Sequence, residues 1–177
     1  DALPIYEVVV DAPRQIADQV EELRLFPKHP KGEETFQPYW EDAAGDIERM
    51  SWQKAHELYG DPLPPVVEAR LKKELKSIIG YGFATLYSIA QKLVAKSLDD
   101  GYLVGSRGSV GSSFVATMCG ITEVNPLPAH YRCTHCKTAL FTPPEMGAVG
   151  IDLPDRVCET CGQPFVKDGY SIPFEVF

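Results

Sequence analysis

Four cysteines constrain this chain more tightly than anything else in it: Cys133 and Cys136, then 21 intervening residues, then Cys158 and Cys161. Each Cys-x-x-Cys turn offers two thiolates from one side, and two such turns facing each other close a tetrahedron that leaves no coordination position for water. The spacer is a single residue longer than the usual two-knuckle zinc pattern. The expectation is one structural Zn²⁺ held by Cys133, Cys136, Cys158 and Cys161. Two disulfides or a redox Cys-x-x-Cys compete with it, although no thioredoxin-like βαβ pattern surrounds either pair. His135 is superfluous to such a site. Arg132, Lys137 and Arg156 lie beside the ligands and would offset the surplus negative charge of four thiolates around a divalent ion. Cys119 has no nearby cysteine partner and reads as a small buried apolar residue.

A second stretch gathers phosphate-binding chemistry: Gly105, Ser106, Arg107, Gly108, Ser109, Val110, Gly111, Ser112 and Ser113 in succession. Tyr102, Leu103 and Val104 before it have the character of a short buried strand, and residues 114–118 suit one or two turns of helix. Glycines at 105, 108 and 111 permit positive φ and close approach of the main chain, and amides at a helix start point outward unpaired. Arg107 adds a planar fork of donors, and the serines add hydroxyls for phosphate oxygens or for capping. The loop is no Walker A sequence, dinucleotide fingerprint or nucleophile elbow. Its competing reading is a flexible Gly/Ser connector.

The rest of the chain is punctuated clearly. Residues 5–10 read as a strand, with Asp11 capping a helix that carries Ile16, Val20 and Leu23. Residues 26–40 are broken by Pro27, Pro30, Gly32 and Pro38 into an exposed connector. A helix is expected over 43–59, with Ile47, Met50, Ala55 and Leu58 as its apolar positions. His56 on it has no ligand partner in view and receives no role. Another helix follows Pro64 and Pro65, with Val67, Leu71, Leu75, Ile78 and Ile79 inward and Arg70, Lys72, Lys73 and Lys76 toward solvent. That basic side is either a solvated face or a surface for polyphosphate or DNA. A third helix over 83–97 is expected to bury Phe83, Leu86, Tyr87, Ala90, Leu93 and Val94. Asp99 and Asp100 with Gly101 form a turn rather than a metal site. Residues 121–128 are extended, because Pro126 and Pro128 forbid a continuing helix.

Charge adds one point. The net charge is −8, yet 14 acids and 6 bases fall up to Pro64, against 11 of each after it. An acidic total therefore does not exclude nucleic acid. No apolar run approaches membrane-spanning length, so no membrane is expected. The start, Asp1-Ala2-Leu3-Pro4, lacks an initiator Met and a signal peptide, as in a piece of something longer.

The segments 73–79, 98–118 and 121–128, with the four cysteines and the closing Ile172-Pro173-Phe174-Glu175, closely resemble the PolC-type DNA polymerase III α subunits of Gram-positive bacteria, a family of replicative polymerases. The resemblance covers residues 59–177 and weakens before them. It implies an incomplete α/β palm portion of nucleotidyltransferase type with a four-cysteine zinc-ribbon insertion. The division would be 1–40 as the tail of a preceding domain and connector, 41–130 as the N-terminal part of the palm, and 131–177 as the zinc module leading back to it.

The same resemblance assigns the triphosphate of an incoming dNTP to Gly105, Ser106, Arg107, Gly108, Ser109, Ser112 and Ser113. Primer-template DNA is the other substrate, and catalytic Mg²⁺ is expected through aspartates beyond Phe177. No Asp-x-Asp pair stands here for it. The parent is then a DNA-directed DNA polymerase of the bacterial cytoplasm, meeting replisome subunits such as the sliding clamp through regions outside this chain, and this piece alone is expected to be inactive. The competing function is a non-enzymatic zinc-ribbon module that binds nucleic acid or a replisome partner.

Overall fold

The computed structural model describes residues 4–22, 38–141 and 149–174. The chain divides into two compact units, Asp1–Gln37 and Pro38–Phe177.

In the first unit the expected strand is instead helical. A π-helical turn, Glu7–Asp11, runs directly into helix α1, Ala12–Ala17. Ile5, Val8, Val9 and Ile16 are all exposed. A strand needs a neighbour to satisfy its N–H and C=O groups, and none of the described residues of this unit forms one; a helix satisfies them locally. The helix stops before Val20, while Leu23 and most of the expected connector lie outside the described residues.

The second unit is built on helices α2 (Ala43–Tyr59), α3 (Pro65–Gly80), α4 (Ala84–Asp99) and the short α5 (Phe114–Met118). The apolar stripes of α2 and α3 do what their spacing predicts. Ile47, Ala55, Val67, Leu71, Phe114 and Val115 close into one core without measurable exposure. Proline opens α3 at a position whose N–H would be unpaired anyway. Helix α4 departs from expectation: Ala84 and Ser88 are its buried residues, while Phe83, Leu86 and Leu93 remain exposed and Tyr87, Ala90 and Val94 are half-buried. Its inner seam is made of small side chains, so the large ones flank the contact with α2 rather than fill it. Gly101 ends this segment at φ +84°, as a turn, and Asp100 pairs with Lys96.

Residues 102–104 are not a buried strand. Leu103 is fully exposed, Tyr102 is largely so, and the Tyr102 amide closes the end of α4 by donating to the Ser97 carbonyl at 2.9 Å. Without a neighbouring ladder, β-branched character alone does not make a strand. The described strands all lie in the cysteine segment: β1 (His130–Arg132), β2 (Ala139–Phe141) and β3 (Val166–Asp168), antiparallel in the order β2-β1-β3. Tyr131 stands opposite both Leu140 and Lys167. The architecture is thus mixed, helices with a small sheet.

The ribbon returns to the helices along residues 170–172, whose amides donate to Asn125, Leu127 and Pro126 carbonyls at 2.9 to 3.0 Å. Gly169 makes that approach possible: it holds φ +95°, and a Cβ there would meet the Pro128 carbonyl oxygen at 2.3 Å.

Candidate functional site

The expected phosphate loop proves to have two unlike halves. Its first half is open. Gly105, Arg107, Gly108 and Ser109 are exposed, and Gly108 sits at φ +76° with nothing within 4 Å of where a Cβ would be. Ser106 is tied sideways to two neighbours: its hydroxyl meets Thr122 and donates to a Glu123 carboxylate oxygen at 2.8 Å, and its amide reaches the other at 3.4 Å. The Glu123 carboxyl lies below its usual range, first through its own backbone amide and then through Ser106.

The second half turns inward. A 3₁₀ turn, Gly108–Ser112, brings the chain to Ser113, which caps α5 by accepting from the Ala116 amide at 3.2 Å. Ser112 and Ser113 are buried, and the Ser112 hydroxyl donates back to the Ser109 carbonyl at 2.8 Å. Against this end stands Glu74 of α3, fully buried. Its Oε2 accepts from the Ser113 hydroxyl and the Val115 amide, both at 3.0 Å, and its Oε1 pairs with Arg70. Tyr87 of α4 donates to the same Ser113 hydroxyl at 3.1 Å.

Arg70 therefore does not line a solvated face. Its Nη2 donates to the Ser112 carbonyl at 2.7 Å and the Ile172 carbonyl at 3.0 Å, and its guanidinium lies 6.0 Å from the centre of the Phe174 ring. Of the other expected basic residues, Lys72 pairs with Glu68 at 2.6 Å, while Lys73 and Lys76 are exposed. Sequence reasoning passes over Glu74, although a signal is present. It stands three residues after Leu71 and four before Ile78, where the stripe asks for an apolar side chain.

The four cysteines are brought together. The sulfurs of Cys133, Cys136, Cys158 and Cys161 all lie within 4.8 Å of one another, and none is in a disulfide. Cys133 faces Cys161 and Cys136 faces Cys158, each pair at 3.4 Å. Tetrahedral thiolates on a zinc-sized ion need sulfurs about 3.8 Å apart, so the cluster could hold a metal with little adjustment. Amides already point at it: the Cys136 amide brings the Cys133 thiol below its ordinary pKa, and the Thr138 hydroxyl does the same for Cys136. Against the pull of the Gln163 amide, burial and the neighbouring thiols push Cys161 up to about 12. The flanking bases are engaged elsewhere: Arg156 with Glu159, Lys137 with the Thr134 carbonyl, and Arg132 3.9 Å from Asp168. Cys119 lies buried apart from the cluster, and burial pushes its thiol up to about 12. Among the described residues no other group of three or more His, Cys, Asp or Glu side chains is placed to share an ion.

A buried chain of polar groups joins ribbon and helices, unmarked in the sequence. Asn125 donates to the Tyr59 hydroxyl at 2.9 Å, that hydroxyl donates to His130 Nε2 at 3.1 Å, and His130 Nδ1 donates to the Pro128 carbonyl at 2.8 Å. The second Asn125 contact is Asp168 at 2.9 Å.

Comparison with known proteins identifies the family. The family model described as bacterial DNA polymerase III alpha NTPase domain matches residues 45–177. The chain is similar to proteins named DNA polymerase III PolC-type: 58% identical over 171 residues to that of Halalkalibacterium halodurans, 56% over 171 to that of Caldanaerobacter subterraneus subsp. tengcongensis, and 55% over 172 to that of Staphylococcus aureus. Each alignment covers 97% of this chain and 12% of the relative, so the chain spans about an eighth of the curated relatives it matches. No described helix is long and apolar enough to cross a membrane. The chain belongs to the bacterial DNA polymerase III alpha NTPase domain family.

Proposed function

We propose that this chain is the triphosphate-holding part of the palm in a PolC-type replicative DNA polymerase, a nucleotidyltransferase-type fold working in the bacterial cytoplasm. The observation that carries the reading is the open half of the loop. Gly105, Ser106, Arg107, Gly108 and Ser109 offer amides, hydroxyls and one guanidinium on an accessible surface, and the two glycines there present no Cβ to hold a phosphate away. A phosphate arriving at Ser106 meets the Glu123 carboxylate as a competitor for the same hydroxyl and amide. Ser112 and Ser113 support the loop from beneath. The five-residue α5 adds little, because Glu74 and the Ser113 hydroxyl already take its leading amides.

Nucleotidyl transfer in such an enzyme uses Mg²⁺ to stabilise the attacking and leaving oxygens. The carboxylates for it belong to parts of the polymerase outside this chain. Primer-template DNA, dNTPs and replisome subunits such as the sliding clamp are the partners of that whole enzyme. Zn²⁺ on Cys133, Cys136, Cys158 and Cys161 is structural, since four thiolates leave no position open to water or substrate.

The test is Arg107→Ala in the complete polymerase. Losing one charge-assisted hydrogen bond of about 1.5 to 3 kcal/mol should raise the nucleotide KM roughly tenfold to a hundredfold. Template affinity, spread over many phosphates, should change far less. An unchanged nucleotide KM with a large loss of DNA affinity would make the loop a DNA-backbone clamp instead.

A further inference from the structure

The buried pair Arg70–Glu74 is the feature that neither the loop's chemistry nor the family description accounts for. A fully buried carboxylate on an otherwise apolar helix face is costly unless its oxygens are satisfied. Here they are satisfied mostly by the loop: Ser113 Oγ and the Val115 amide on Oε2, and Arg70 on Oε1. Arg70 in turn spends its Nη2 on the carbonyls of Ser112, at the loop's exit, and Ile172, at the chain's return from the ribbon. The pair thus holds residues 112–115 by three hydrogen bonds, and those residues are the fixed end from which Gly108 and Arg107 extend. The open half has no buried ion pair holding it; its described hydrogen bonds to side chains are those of Ser106 to the 122–123 segment and that of the Ser109 carbonyl to the Ser112 hydroxyl.

We propose that Arg70 and Glu74 are positioning residues for nucleotide binding: they touch no substrate, and they set the placement of the 105–109 segment by clamping its exit. This rests on the reading of that segment as the triphosphate loop. A planar guanidinium can serve Glu74, Ser112 and Ile172 together, whereas a lysine ammonium keeps the charge opposite Glu74 but loses the fixed fork. Arg70→Lys therefore retains the buried charge balance while loosening the clamp, whereas Glu74→Gln leaves Arg70 facing an amide without its counter-charge and is the more destabilising change.

The experiment is a double-mutant cycle in the complete polymerase, using dNTP, primer-template and Mg²⁺, with variants R107A, R70K and R70K/R107A. Arg70→Lys is expected to raise the nucleotide KM about fivefold, change kcat by less than about twofold, and leave DNA affinity alone. In the R107A background the same substitution should raise KM by less than about twofold, because with that guanidinium gone the clamp has little left to place. A role in stability alone predicts independent effects and a lower active fraction at unchanged KM. If R107A raises KM and R70K does not, or if their effects multiply, the clamp is refuted while the loop reading stands. If R107A leaves KM unchanged, both fall.

Discussion

The helices of the second unit and the cysteine ribbon close their interiors by different means. The helical core draws on residues such as Ile47, Val67, Leu71 and Phe114 from three helices, enough apolar volume to surround a buried carboxylate. The ribbon's own cluster is Ala129, Tyr131, Cys133, Leu153, Cys158 and Phe165, so two of its six members are metal-ligand candidates. Its strands are three residues each. A sheet that short with so few apolar side chains is marginal by itself, which is the circumstance in which small modules use a metal. One region is held by packing around its buried polar groups; the other has little packing and, at its centre, a cluster of thiols that could hold a metal.

Removing the metal breaks the comparison most sharply. Structural zinc contributes on the order of 10 to 16 kcal/mol in small modules, so chelation or Cys158→Ser should unfold the β2-β1-β3 sheet while the signal of α2 to α4 in far-ultraviolet circular dichroism persists. Elemental analysis of reduced protein should find close to one equivalent of zinc. A ribbon that keeps its amide-exchange protection without metal would show that packing suffices there too. The converse substitution is Phe114→Ala, at a fully buried position. It should cost about 3 to 5 kcal/mol in denaturant unfolding and leave zinc content unchanged.

The clustering of the four cysteines is legible in the sequence because two Cys-x-x-Cys pairs at this spacing suit tetrahedral metal coordination, and α2 and α3 are legible because burial on one side writes a period into it. Two expected strands fail for a common reason. Residues 5–10 and 102–104 carry β-branched and aromatic side chains, but strand formation depends on a partner that composition cannot supply. The loop's division has the same origin. Its seven candidate residues look equivalent in a row, and only Glu74 and Arg70, some 40 residues earlier, make Ser113 an internal cap and leave Arg107 outside. The pattern of α3 points Arg70 toward solvent because helical spacing predicts a direction for Cβ, not where a long side chain ends.

The seam between the two regions sharpens the comparison with a smaller effect. Tyr59→Phe deletes the hydroxyl that accepts from Asn125 and donates to His130. Burial of that phenol already pushes its pKa well up, so it stays neutral and serves as a donor throughout the physiological range. Leaving a buried imidazole nitrogen without its partner should cost about 1 to 3 kcal/mol. Thermal unfolding of helices and ribbon, followed separately by circular dichroism and metal release, should then lose coincidence. Equal shifts of both transitions would mean that the backbone bonds of residues 170–172 carry the coupling instead.

The smallest effect concerns protonation of His130, which is fully buried and stacks on Phe141 at 4.6 Å between centroids. Burial lowers its pKa, against opposing pulls from the Pro128 carbonyl and Asp168, while Arg132 adds to the lowering. With Nδ1 donating to Pro128 and Nε2 accepting from Tyr59, the neutral ring satisfies both nitrogens. A second proton would face the Tyr59 hydroxyl proton and force the chain to reverse. The folded pKa lies below the unfolded value of about 6.5, so between them the unfolded chain binds more protons. Stability from this group is therefore complete above about pH 6.5 and is lost as pH falls toward the folded pKa, at no more than ~1.4 kcal/mol per pH unit. Protonation of thiolates on a bound metal would act in the same direction, so the difference between wild type and His130→Gln isolates the histidine. At constant zinc, that difference in unfolding free energy should be flat above about pH 7 and shrink below about pH 6.5. A difference that grew on acidification would mean that the folded protein binds the proton more tightly, with Asp168 outweighing burial.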